Sequence, residues 1–242
     1  MTTDCRNCPL RKFDLFEEMS ADELAFTNRF KTGEFTAQPG TEILAEGASS
    51  TQLYTALEGM GLRYKTLEDG RRQVVGFILP GDFVGLQSGV MGEMQHSVEA
   101  TTRMVLCVFN RSELWDLFKS NPRRAFDLTH LASSEEHALG EALAAVGQMD
   151  GTAKVAWSLF RFYSRLSALG MNEHDRVPLP YRQQDVADAM GLSLVHTNKT
   201  LAKLRDAGVA TWADDALTVH RPKELAALAR SSGYKPRRRP LI

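Results

Sequence analysis

The sequence predicts an α+β chain in three parts: an N-terminal antiparallel β-roll, a long helix, and a C-terminal winged helix-turn-helix. Three observations carry this. Between Gly33 and Asn110, short runs alternating apolar and polar residues are separated by recurrent turn signals. From Leu128 to Met149, apolar or small residues recur at alternating spacings of four and three. Between Leu179 and Gly208, two short helical patterns flank Gly191, and an alternating stretch follows.

The chain begins with Cys5-Arg-Asn-Cys8. That spacing can chelate a metal or close a small redox disulfide, and it also fits two inert thiols on a flexible terminus. Ser20 and Glu23 form a capping box that starts a short helix. The turns of the roll are Pro39-Gly40, Glu46-Gly47, Glu58-Gly-Met-Gly61, Glu68-Asp-Gly70 and Pro80-Gly-Asp82. Strands are expected between them at 42–45, 52–57, 62–67 and 72–79, with another at 104–109 and Asp69-Gly70 as a hairpin tip. Ser112–Phe118 closes the roll as a helix, and Asn121-Pro122 opens the long one. Its stripe is Leu128, Ala132, Glu135, Leu139, Ala142, Val146 and Met149. The stripe is narrow and its neighbours are charged or small, which favours a two-helix dimer seam over packing on the chain's own roll. Glu135 interrupts it, and two such carboxylates across a dimer would repel.

Asp150-Gly151 breaks the helix and marks a domain boundary. Val155, Leu159, Phe160, Tyr163 and Leu166 then give a helix with a broad buried face, and 176–180 is an extended lead-in. In the helix-turn-helix, Val186, Ala187 and Met190 face inward, Gly191 makes the turn, Leu192 plugs the gap and Ser193 caps the second helix. That helix, 193–205, is expected to bury Leu194 or Val195, Thr197, Leu201 and Leu204. It turns His196, Asn198, Lys199, Thr200 and Lys203 outward, where they can donate to base edges and phosphates of double-stranded DNA. Gly208 ends it, and Val209–Val219 reads as a wing. Lys235-Pro-Arg-Arg-Arg-Pro240 is expected to be a disordered basic tail. The domains are therefore 1–120 for the roll, 121–150 for the helix, 151–234 for the winged helix-turn-helix and 235–242 for the tail.

Formal net charge is −1 over 242 residues, so DNA affinity must come from a local basic surface. No apolar run is long enough to span a bilayer, and Met1-Thr-Thr-Asp-Cys lacks the basic and apolar regions of a secretory signal. Three cysteines make a poor disulfide framework, so a reduced, cytoplasmic chain is expected. An enzyme is not: the sequence has no Ser-His-Asp or Cys-His pattern in a suitable context, no phosphate loop and no zinc signature. His130 and His137 share a helix face and read as exposed helix residues.

The order of roll, long helix and winged helix-turn-helix resembles the Crp/Fnr superfamily of bacterial transcription regulators over nearly the whole chain. The most specific signals are Pro39-Gly-Thr-Glu-Ile-Leu-Ala-Glu-Gly47, Gly81-Asp-Phe-Val-Gly85 and the helix-turn-helix. The resemblance implies a cyclic-nucleotide-binding-like roll and a homodimer on a palindromic operator, in contact with RNA polymerase. Cyclic-nucleotide binders carry a Glu just after Gly-Asp-Phe-x-Gly and an Arg-Ser pair soon after. Leu86 and His96-Ser97 stand there, so cAMP is not expected as the effector. The oxygen-sensing Fnr branch holds an iron–sulfur cluster on four cysteines. Cys5 and Cys8 resemble two of its N-terminal ligands and Cys107 sits where the late one falls. The remaining cysteine is absent, with Asp14 and Asp4 as acidic stand-ins. The resemblance thus implies a labile cluster on Cys5, Cys8 and Cys107, or else a buried core Cys107, two remnant thiols and a regulator with no bound effector. On the reading helix, Val195 takes the family's Glu position, Asn198-Lys199 its Ser-Arg or Gly-Arg, and His196 its Thr. The operator should therefore differ from the familiar ones. Base edges are expected to meet His196, Asn198 and Lys199, and phosphates Ser193, Thr200, Lys203 and Arg182. Tyr181, in the N-cap position of the first helix, is expected to pack on the backbone beside DNA.

Overall fold

Ser20 opens the first α-helix as its sequence predicts. Its hydroxyl accepts from the Glu23 N–H at 3.2 Å, and the Glu23 carboxylate accepts from the Ser20 N–H at 2.7 Å. The computed structural model describes residues 2–242. From α1 (Ala21–Phe30) the chain runs through β1 (Lys31–Ala37), β2 (Glu42–Leu44), β3 (Gln52–Glu58), β4 (Gly61–Thr66), β5 (Arg72–Ile78) and β6 (Phe83–Val84). After α2 (Leu86–Met91) come β7 (Ser97–Ala100), β8 (Met104–Asn110), α3 (Leu114–Ser120) and α4 (Pro122–Gln148). The remainder is α5 (Gly151–Ala168), β9 (Arg176–Pro178), α6 (Gln183–Met190), α7 (Leu194–Asp206), β10 (Ala210–Ala213), β11 (Ala216–Val219) and α8 (Pro222–Leu228).

Two four-stranded sheets, in orders β1-β8-β3-β6 and β2-β7-β4-β5, make the roll. Side-chain alternation decides what each strand contributes. On β8, Met104, Leu106 and Val108 join Tyr54 and Ala56 of β3 in the core between the sheets. Cys107 and Phe109 project from the opposite face of the same strand, as Leu53 and Thr55 do from β3, and all four are buried. That second face is covered from outside by the N-terminal segment and α1, where Phe30 stacks on Phe109 at 4.9 Å. It therefore forms a second core layer, and Cys107 belongs to it.

The chain divides into two compact units. One comprises Met1–Leu67, Val75–Glu136 and Arg238–Ile242, the other Glu68–Val74 and His137–Arg237. The long helix is continuous from Pro122 to Gln148, and the two units divide within it. Asp150 then caps α5, its side chain accepting from the Ala153 N–H at 2.9 Å. The expected disordered tail gives way. Leu241 and Ile242 are 4% and 5% exposed, because they are apolar residues with a socket in the roll unit.

The long helix also redistributes its expected seam. Leu128 is 1% exposed and buried in its own unit, and Ala142, Val146 and Met149 are half-buried. The Glu135 carboxylate is bound by the Arg63 guanidinium of β4, so the repulsion argument loses its free charge. Ala132 and Leu139 remain exposed, and Leu143 at 73% joins them. The open apolar ridge is therefore carried by Leu139 and Leu143, one turn apart. In the second unit, Phe162 rather than Tyr163 fills the buried face of α5. The Tyr163 hydroxyl instead donates to Asp175 Oδ1 at 2.6 Å.

Candidate nucleic-acid interface and a three-cysteine cavity

The helix-turn-helix is built from local chemistry. Arg182 N–H donates to Asp185 Oδ2 at 2.9 Å, starting α6. Gly191 adopts φ +62°, the left-handed region that lets the chain reverse without strain. The Ser193 hydroxyl accepts from the His196 N–H at 3.2 Å and starts α7. Thr197, Thr200 and Leu204 then face inward at 0%, 2% and 3% exposure. Val195, His196, Asn198, Lys199 and Lys203 lie exposed along the other side. Behind α7, β11 pairs with both β10 and β9, and the β10–β11 tip is Asp214-Asp215, both in left-handed conformation. The wing is anchored where Trp212 Nε1–H donates to the Leu179 carbonyl at 3.0 Å.

Several assignments change on this scaffold. Thr200 is buried, because position 200 lies one turn on from Thr197 on the same inner face, so it cannot reach a phosphate. Leu194 and Val195, one of which was expected inside, are 38% and 64% exposed. The Ser193 hydroxyl is engaged as a cap. The Arg182 guanidinium is held by Asp185 at 2.7 Å, although it remains largely exposed. Tyr181 is 4% exposed and stacks on Phe162 at 5.3 Å, so it is a core residue and not one beside DNA. The His196 ring rests against Gly151: a Cβ there would stand 2.0 Å from Nε2. Asn198, Lys199 and Lys203 keep their outward side chains. Val195, which holds the family's Glu position on the reading helix, lies exposed with them, although an apolar residue at that register signals core before it signals surface.

The second site lies in the roll unit. Cys5, Cys8 and Cys107 line one cavity of about 20 Å³, together with Thr55, Leu241 and Ile242. Lys31, which sequence reasoning passed over, stands beside it with its side chain 5% exposed. Its ammonium donates to the Thr3 carbonyl at 2.7 Å and to Glu34 Oε1 at 2.7 Å. Burial opposes that charge, but the Glu34 partnership outweighs it and raises the Lys31 pKa. Burial pushes the Cys107 thiol up to about 11 against the pull of Lys31, and burial raises Cys5 as well. These thiols are therefore protonated at neutral pH.

The expected fourth ligands are elsewhere. Asp4 is tied to Arg6 at 2.7 Å, and hydrogen bonds from Arg6 hold its carboxyl down to about 2. Asp14 is exposed. Among the described residues, no group of three or more His, Cys, Asp or Glu side chains stands in metal-holding geometry. A cavity of about 20 Å³ admits one water, and it is lined by three of the four ligands a cluster needs, so the residues as folded do not fit a four-ligand iron–sulfur cluster.

The position of a cyclic phosphate is no better furnished. His96 is half-buried beside Arg63, and desolvation, then that guanidinium, bring its pKa down to about 4, which leaves the ring neutral at neutral pH. Arg63 is committed to Glu135 and to the Phe83 carbonyl at 3.0 Å. Ser97 caps the Glu46 N–H at 3.0 Å.

A roll joined by one long helix to an exposed reading helix with a wing defines a DNA-binding regulator with a sensor-type domain. Residues 34–121 match the family model for the cyclic nucleotide-binding domain, and 153–228 match that for the Crp-like helix-turn-helix domain. The chain is 30% identical over 226 residues to the nitrogen fixation regulation protein FixK of Bradyrhizobium diazoefficiens, covering 93% of each. It is 27% identical over 208 residues to the transcriptional activator protein FnrL of Cereibacter sphaeroides, covering 85% of this chain and 83% of that one. The solved structure of FixK2 from Bradyrhizobium japonicum superposes with a TM-score of 0.74 at 26% identity, covering 81% of this chain and 96% of that one. The chain belongs to the Crp/Fnr family of transcription regulators and is not an enzyme.

Proposed function

We propose that this regulator is a cytoplasmic homodimer that binds a palindromic operator through α7 and contacts RNA polymerase there. The observation that carries the reading is the outer side of α7, where Asn198, Lys199 and Lys203 stand free of intrachain burial on a helix started by Gly191 and Ser193. Asn198 suits an adenine edge, Lys199 a guanine edge or phosphate, and Lys203 a phosphate. Val195 offers an apolar contact for a thymine methyl. His196 reaches a base edge only after leaving Gly151. Arg182 reaches a phosphate only by giving up Asp185, and Ser193 can offer its backbone but not its capping hydroxyl. Leu139 and Leu143 supply the ridge for the partner helix, flanked by Gly140 and Gly147, which allow close approach. An activating contact with polymerase is supported by the relatives named as transcriptional activators.

The input is proposed to reach the roll at its cysteine layer and not at the cyclic-nucleotide position. Leu86, the neutral His96 and the committed Arg63 support the second half of that statement. A cluster on Cys5, Cys8 and Cys107 requires the cavity to open first. Selection of bound fragments from genomic DNA, followed by footprinting, tests the output. Two protected half-sites about one helical turn apart are expected. A uniform ladder with no protected repeat would remove the operator reading.

A further inference from the structure

Arg238–Ile242 follow the DNA-binding unit in the chain, yet they are built into the roll unit. The seat is specific. Arg239 pairs with Phe16 as a short parallel bridge: its N–H donates to the Leu15 carbonyl at 2.9 Å, and its own carbonyl accepts from the Glu17 N–H at 2.9 Å. Its guanidinium donates to Asp82 Oδ1 at 2.8 Å, with both side chains mostly buried, and lies over the Phe16 ring. Gly81, at φ +87°, leaves the space for both. A Cβ there would stand 2.3 Å from the Phe16 ring and 3.2 Å from Arg239 Nη2. Beyond Pro240, the Leu241 carbonyl accepts from Arg124, which is paired with Asp127 at 2.8 Å. The Ile242 carbonyl accepts from Thr55 Oγ1 at 2.7 Å. Thr55 stands opposite Cys107 in the β3–β8 register. Leu241 and Ile242 thereby become a wall of the cavity that holds the three thiols.

We propose that Arg238–Ile242 is a plug in a peptide seat on the roll, and that it governs access to Cys107. Arg239 supplies the charge that fixes register, and Leu241 and Ile242 supply the stopper. The plug requires no bound metal and holds for the fully reduced chain, so it stands or falls apart from the nature of the signal.

Alkylation by N-ethylmaleimide, followed residue by residue by mass spectrometry on the reduced full chain, tests this. Deleting Arg238–Ile242 is expected to speed labelling of Cys107 by about tenfold, the ratio equivalent to about 1.4 kcal/mol of opening free energy. The peptide Arg-Arg-Pro-Leu-Ile, added to the deletion variant, is expected to restore slow labelling. Arg239→Ala, which keeps all five residues, should label at an intermediate rate. Equal Cys107 rates in the parent, the deletion and Arg239→Ala overturn the proposal. So does acceleration that the peptide does not reverse, because that reports a loosened roll and not an emptied seat.

Discussion

Glu135→Ala separates two accounts of the long helix. Read as part of a dimer seam, Glu135 is a repulsive charge whose removal tightens the dimer. Bound to Arg63, it is the counter-charge of a guanidinium whose side chain is 8% exposed. Removing it leaves that guanidinium with the Phe83 carbonyl at 3.0 Å among its acceptors. Breaking a buried pair costs about 3–5 kcal/mol, but Glu135 is 46% exposed and water can replace part of the carboxylate, so about 2 kcal/mol is expected. For a chain of this size that corresponds to a fall of roughly 4–8 °C in Tm. Glu135→Gln keeps an acceptor oxygen and should lose about half as much. In an Arg63→Met background the Glu135→Ala penalty should largely vanish, since the interaction has already gone. Thermal unfolding of the parent and the four variants, with sedimentation equilibrium for the dimer constant, reads both effects. A Tm unchanged within about 1 °C, together with a dimer about tenfold tighter, would refute the pairing argument and restore the seam reading.

Other consequences follow from named side chains. His96, near 4 in the fold against 6.5 as a free imidazole, stays neutral while the unfolded chain takes up a proton between those values. Stability should therefore fall as pH drops from about 6.5 toward 4. His96→Gln should flatten about 1–2 kcal/mol of that loss in urea titrations at pH 7 and pH 5, after allowance for partial exposure; parallel curves for parent and variant would contradict it. Asn198→Ala should cost about 1–3 kcal/mol on a cognate fragment and almost nothing on random DNA, as measured by anisotropy. Lys203→Ala should weaken both alike and lower the salt slope by about 1, whereas Thr200→Ala should lower Tm and leave the slope alone. Leu139→Glu combined with Leu143→Glu should yield monomers in sedimentation and abolish operator binding while the fold by circular dichroism persists.

The parts legible in the sequence are those set by neighbours along the chain. The Ser20–Glu23 capping box, the Gly191 turn, the Ser193 cap and the glycine-punctuated strands all follow from residues within a few positions of one another. They sufficed for the fold class and, through the order of motifs, for the family. The parts that were not legible depend on partners far away. Glu135 meets Arg63 across 72 positions, so its seam register looked free of any other obligation. Thr55 meets Ile242 across 187 positions, and a run of three arginines hid the two apolar residues that seat the tail. At Thr200 and Tyr181, residue type misled, because a hydroxyl in either residue suggests surface while the helix register and Phe162 decide for burial. The convergence of the three cysteines was legible only through the family resemblance. Lys31, which raises no flag in a strand such as Lys-Thr-Gly-Glu-Phe-Thr-Ala, emerges only once β1 pairs with β8.

The central claim is that the outer side of α7 reads a DNA sequence. The measurement that tests it most directly is the ratio of affinities for a selected promoter fragment and a scrambled one of equal length, taken across about 50–200 mM salt. A ratio of about 10³ or more that persists at the higher salt, and that collapses in Asn198→Ala, is the predicted result. A ratio near one at every salt concentration, or one that Asn198→Ala leaves intact, would contradict the account.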